Sequence, residues 1–367
     1  MLNSLPSLSE IRFKWLLLTE FNIDAQLEFV KLLNSFSSSG LSIKQSLGLT
    51  RESYSYIYGS SSIYCLMCDK LIDSIATVEG YTHILQKYFH PNIAVSYELM
   101  RFTTDKSAVS EVAELISFER KLIKDSLGSL FSPLMIFIAG AGVLAVLGKT
   151  AIPKMLDRAI SKGTTIDEYP IEIDIALSFG NAVTSYGIFF AIFLVFLYKT
   201  ILWLLPNFVP DTVAKSKLRN VLDRPWPFSL FKSIWSVRCM KLYGILKKAD
   251  TRDLEILRLL KLFSPPFCVF YLSKMEQGFR EGKPKREYFL KGLISKPQEV
   301  RLSPYFTHSS SNDFAINLID ISNQAPLDID MQFRAAVRKL SLYLIVIGAV
   351  LFLTAIGSVF EMSNFII

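Results

Sequence analysis

Three apolar runs, each free of charge for 16 residues or more, set the strongest limit on what this chain can become. The first, FSPLMIFIAGAGVLAVLG, runs from Phe131 to Gly148. A bilayer core of about 30 Å is crossed by about 20 apolar residues in a helix. Gly140, Gly142 and Gly148 are costly in a soluble helix but common in membrane ones. The second run, VTSYGIFFAIFLVFLYKTILWLLP, covers Val183 to Pro206 and is uncharged as far as Tyr198. Lys199 then lies near one end, where its stem can snorkel to the headgroups, and Trp203 suits an interface. The third, LSLYLIVIGAVLFLTAIGSVF, covers Leu340 to Phe360 without a charge. The competing interpretation is a set of buried helices in a large soluble protein. The second run has no polar stripe, and soluble folds rarely need three such segments. Three membrane spans are therefore expected, at 131–148, 183–206 and 340–360.

Composition agrees. Hydrophobic residues make up 51% of the 367 positions and charged residues 20%, below the quarter or so usual in soluble chains. Four cysteines are too few for a disulfide scaffold. The first 20 residues carry two acids and only a short apolar patch, which does not fit a secretory signal.

Charge then orients the spans, because flanking Lys and Arg stay cytoplasmic. Arg120, Lys121 and Lys124 precede the first span, Lys215, Lys217 and Arg219 follow the second, and Arg334, Arg338 and Lys339 precede the third. Segment 149–182 has four basic and five acidic residues and is expected to be short and periplasmic. Segment 207–339 has 23 basic and 13 acidic residues, against 12 and 14 in segment 1–130. The predicted topology has the N-terminus inside, the 149–182 hairpin outside, the large loop inside and the tail 361–367 periplasmic. Juxtamembrane placement accounts for many of the basic residues, so nucleic acid is not expected as a partner. Lys283, Lys285 and Arg286 are left over. They form a candidate basic patch for an acidic partner, a lipid headgroup contact or a solvated face.

Both large segments carry helical periodicity. In Ala25–Ser37, Leu27, Val30, Leu33 and Phe36 recur at intervals of three. Ser38, Ser39 and Gly40 break the pattern, and Ser42 can cap the next helix. Further helices are predicted over 61–81, 108–130, 234–248, 254–263 and 269–279, with Pro265 and Pro266 stopping one of them. Strand alternation is scarce. Offset by 210, Val30–Leu49 lies against Met240–Leu259, so that helix, break and helix fall in register. The fold class expected is an all-α polytopic membrane protein with two cytoplasmic helical-bundle domains of one family, 1–130 and 207–339.

The chemistry of most enzymes is missing. There is no GxxxxGK[ST], HExxH or GxSxG run. Cys65-x2-Cys68 precedes His83 and His90, but the gap between the histidines is wider than a zinc site of this kind uses. Packing as small hydrophobes in a reducing compartment is the simpler account of the two cysteines. No catalytic residue, cofactor or metal ligand is assigned. A transporter normally needs more polar groups at membrane depth than Lys199 alone.

The order of elements resembles the inner-membrane platform proteins of type II secretion and type IV pilus systems (the GspF/PilC-like family, with two F domains). Three stretches carry the resemblance. FVKLLNSFSSSGLSIKQSLGL, Phe29–Leu49, looks like the family's helix, small-residue turn and helix, with Gly40–Leu41 as the turn. ERKLIKDSLGSLFSPLMIFIAGAGVLAVLGKTAIPKML, Glu119–Leu156, looks like its charged helix, aromatic-Pro opening of the first span and later Pro, at Pro133 and Pro153. The second half, entered through Leu222–Phe228, ends in a C-terminal span. The family's acidic Gly-Glu-x-Ser-Gly-like turn is not preserved at Met100–Asp105 (MRFTTD) or Asp320–Leu327 (DISNQAPL). That divergence resembles the type IVb pilus branch, and no ion or partner contact of the turn is carried over.

The resemblance implies a non-enzymatic component of the bacterial inner membrane without a cofactor. Its implied partners are a cytoplasmic hexameric assembly ATPase, pilins or pseudopilins, other inner-membrane assembly proteins, the lipid bilayer and further copies of itself. The alternatives are a membrane transporter or channel subunit, or a membrane scaffold unrelated to pili.

Overall fold

The computed structural model describes residues 8–75, 78–91, 93–94, 106–161, 170–225, 227–308 and 310–366. Among the described residues there is no strand. The helices are α1 (Leu8–Thr19), α2 (Ile23–Ser37), α3 (Ile43–Tyr58), α4 (Ile63–Ser74), α5 (Val78–Tyr88) and α6 (Lys106–Val146). A π-helical turn (Leu147–Ala151) follows, then α7 (Ile152–Ser161) and α8 (Ile171–Asn207). Next come α9 (Val213–Leu222), α10 (Phe228–Lys248), α11 (Asp253–Phe263) and α12 (Pro266–Arg280). The short α13 (Lys285–Tyr288), α14 (Lys296–Leu302) and α15 (Tyr305–His308) precede α16 (Ser311–Ile366).

The chain divides into two compact units, one of Met1–Arg120 with Pro206–Asp328 and one of Lys121–Leu205 with Ile329–Ile367. Both of the large segments seen in the sequence contribute to the first unit.

In the first unit, α2 packs on α3 and α3 on α4, and side chains cap the starts of α2 and α3. Asn22 accepts from the Ala25 amide at 3.0 Å at the start of α2. Ser42 and Gln45 form a reciprocal capping box at the start of α3, satisfying two of the amides that a helix N-terminus leaves orphaned. The predicted face of α2 is the one that is buried, with Phe29, Val30 and Leu33 fully enclosed together with Leu47 of α3 and Met67 and Leu71 of α4. The segment 61–81, read as one helical stretch, is two helices here, α4 and α5. Pro265 caps α12 with extended backbone, and Pro266 takes the first helical position, where its missing N–H is no loss.

Among the described residues, three helical stretches are long and apolar enough to cross a membrane, Gly128–Ser161, Ile171–Asn207 and, within α16, Asn312–Asn364, and the second unit holds most of each. Each is longer than the charge-free run that announced it. The described residues of segment 149–182 are almost all helical, because the π turn carries the helix past Gly148 and α8 begins 12 residues before Val183. Leu144, Ile152, Leu156, Ile173, Ala176, Ala355 and Met362 form the core of this unit. Its helices approach through glycines. A Cβ at Gly180 would stand 2.7 Å from the Gly148 carbonyl carbon, and one at Gly348 would stand 2.9 Å from the Phe137 Cα. Along α8, from Asn181 to Lys199, every side chain is exposed and only Gly187 is partly covered.

Candidate functional site

The motif residues occupy defined structural positions. Gly40 takes φ +86° between α2 and α3, a left-handed conformation that a side chain disfavours. Leu41, half-buried, leads directly into the Ser42 cap. Pro133 is buried inside α6 and does not end it. Pro153 is the second residue of α7. Having no N–H, it cannot donate to the Lys149 carbonyl as an α-helix requires. The π turn immediately before it absorbs the defect, with the Ile152 amide reaching back to the Leu147 carbonyl. A proline that normally signals the end of a helix therefore sits inside a nearly continuous one.

The three members of the basic patch do not act alike. Lys283 is exposed and pairs with Glu281 at 2.6 Å, which raises its pKa. The Lys285 ammonium lies 4.7 Å from the centre of the Phe314 ring. Burial holds its pKa below the ordinary lysine value. Arg286 is exposed, like Lys283. Lys283 shares a 330 Å³ groove with Lys274 and Lys291, alongside Glu281, Glu287 and Tyr288. Lys274 and Lys291 escape a reading of local charge runs because α12 and the turns after α13 bring them together only in space.

A larger groove, 770 Å³, opens between α1, α4 and α5. Its aromatic floor is Phe13 edge-on to Tyr88, with ring centres 5.3 Å apart. The Lys70 ammonium lies 4.8 Å from the Phe13 ring, and that of Lys87 lies 5.3 Å from the Tyr88 ring. Such contacts are worth about 0.5–1 kcal/mol where solvent reaches them. Glu10, Asp69 and Asp73 supply opposite charge, and Asp69 is already bound by Arg51 at 2.6 Å.

Two buried arginines organise the interior of the first unit. Arg219 donates to Asp223 at 2.7 Å and to the Phe208 carbonyl at 3.3 Å, and its guanidinium stacks 4.0 Å from the Phe267 ring centre. Its place after the second apolar run marked it as a juxtamembrane charge, whereas Lys215 and Lys217 are the exposed members of that trio. Arg238 of α10 donates to Glu119 of α6, both nearly excluded from solvent, and stacks 4.2 Å from the Trp235 ring centre. Burial, opposed by Arg238, raises the Glu119 pKa. The Glu119–Arg238 pair is invisible in sequence, since it joins positions 119 residues apart.

Cys65 and Cys68 are buried on α4. The Cys65 thiol lies 3.5 Å from the Arg51 carbonyl, and burial pushes the Cys68 thiol well up, away from reactive thiolate chemistry. Among the described residues no group of three or more His, Cys, Asp or Glu side chains could hold a metal ion. The Met100–Asp105 turn lies outside the described residues. Its counterpart, Asp320–Leu327, is helical within α16 in spite of Pro326. Comparison with protein-family models, curated proteins and solved structures finds no match.

Proposed function

We propose that this chain is a non-enzymatic platform of a type IV pilus or type II secretion apparatus in the bacterial inner membrane. In this role its two large helical segments, 1–130 and 207–339, act as F-type bundles on the cytoplasmic side and engage a hexameric assembly ATPase. The spans meet pilin or pseudopilin helices in the bilayer, and movement of the platform lifts those subunits into a filament. The observation that carries the proposal is the order of elements: helical segment, span, short segment, span, helical segment, span, with Gly40–Leu41, Pro133 and Pro153 at the family's positions.

Two structural features favour it. A single helix, α6, carries Glu119, the ion-pair partner of Arg238, and runs on into the start of the first apolar stretch. The membrane-facing part of α8 is uncovered by its own chain, as a component meeting other membrane helices requires. The test is deletion combined with affinity capture. Loss of the chain should abolish filaments or secretion while prepilin stays in the membrane, and the tagged chain should capture an assembly ATPase. Solute flux in liposomes without an ATPase would identify a transporter instead.

A further inference from the structure

Helix α1 has two apolar faces and its own chain covers only one of them. Phe13 and Leu16 are buried. Ile11, Trp15 and Leu18 are 51%, 60% and 83% exposed, and they recur at spacings of four and three, on one stripe of the helix. At about 100° per residue, Lys14 falls about 60° to one side of Ile11 and Arg12 about 100° to the other, with Leu18 and Trp15 between them. The exposed stripe is thus bounded on both sides by an exposed cation, and Glu10 lies beyond Lys14, outside it. Thr19 closes the last turn by donating to the Trp15 carbonyl at 2.9 Å.

We propose that this face of α1 is a membrane-surface anchor that lies on a bilayer containing anionic lipid. Three considerations choose the bilayer over a protein. Tryptophan favours the headgroup boundary, where its ring is buried and its N–H stays wet. Lys14 and Arg12 can lay their stems along the apolar boundary and present their charges to lipid phosphates. Among the described residues three helices are long and apolar enough to cross a membrane, which puts a lipid surface at hand. The anchor is independent of the pilus or secretion role and would hold equally for any membrane scaffold.

The test places a spin label at position 15 (Trp15→Cys) in the full chain, where the four native cysteines are buried and leave the new thiol to react. A label at exposed Glu52 (Glu52→Cys) is the comparison. In nanodiscs containing phosphatidylglycerol, the label at position 15 should lose accessibility to a water-soluble nickel chelate several-fold and gain accessibility to oxygen, while that at position 52 stays in water. Arg12→Glu with Lys14→Glu, or replacement of phosphatidylglycerol by phosphatidylcholine, should reverse most of the protection. Equal nickel accessibility at the two positions in anionic nanodiscs overturns the proposal. So does protection that is the same in both lipids, or that arises only when a soluble protein is added.

Discussion

At the scale of single residues, the buried Arg238 bears most on stability. Its guanidinium pairs with Glu119, and the pair is nearly dry. Removing one partner of a buried pair leaves the other charge desolvated and alone, at a cost of about 3–5 kcal/mol. Arg238→Leu should therefore lower the unfolding free energy of the detergent-solubilised protein by that order, while Arg286→Leu, at an exposed site, should change it little. Equal effects in a denaturant titration would refute the importance given to the pair. His90 supplies a pH dependence. Burial first, and the charge of Arg238 second, hold its imidazole below the ordinary value. A histidine depressed in this way binds fewer protons folded than unfolded. The stability it contributes is complete above an unfolded pKa of about 6.5 and is lost as pH falls through the folded value. The unfolding midpoint should drop as pH is lowered through that window, and His90→Gln should flatten the slope. An unchanged slope in the variant would remove His90 from the account. Sequence reveals neither residue's role, because Arg238 is one of 23 basic residues in its segment and only folding selects it for burial.

At the scale of elements, what was legible in sequence is what local physics decides. The α2 face and the Ser42 cap follow from apolar spacing and from a side chain's reach to its own backbone. The internal echo is also local. α3 starts at Ile43 and α11 at Asp253, 210 apart, and Gly40 and Asp250 both take positive φ, +86° and +58°. The correspondence ends after this hairpin, since α3 has 16 residues and α11 has 11. What was not legible is decided by a neighbouring element. Gly148 looks like the end of a span because a lysine follows it, but the π turn carries the helix on to Ser161. The reason it is glycine becomes plain only when Gly180 is laid against it. A Cβ at Gly180 meets backbone atoms, which cannot swing aside as a side chain would. Gly180→Ala should cost about 1–3 kcal/mol, the usual penalty for overpacking. Gly142→Ala, where a Cβ meets nothing within 4 Å, should stay within about 0.5 kcal/mol. Thermal unfolding of the two variants in one detergent decides the matter, and it fails if they behave alike.

At the scale of the whole molecule, the three long apolar helices and the charges around them can be tested together. A chain held by three spans should stay in the membrane pellet after a carbonate wash and leave it only with detergent. Because the four native cysteines are buried, single cysteines at exposed surface positions report sidedness without a cysteine-free background. Basic flanks remain on the cytoplasmic face because moving Lys and Arg across the bilayer is unfavourable. Ser60→Cys and Arg286→Cys should therefore resist a membrane-impermeant maleimide in intact spheroplasts, and Lys154→Cys, on α7, should react with it; all three sites are exposed. After lysis all three should label. The pattern separates physical causes as well as topologies. If Lys154 and Ser60 label together from outside, the first apolar helix does not cross. If Arg286 labels from outside while Ser60 does not, the 23-to-13 basic excess of segment 207–339 has another cause than orientation, and the cytoplasmic engagement proposed for that segment fails with it.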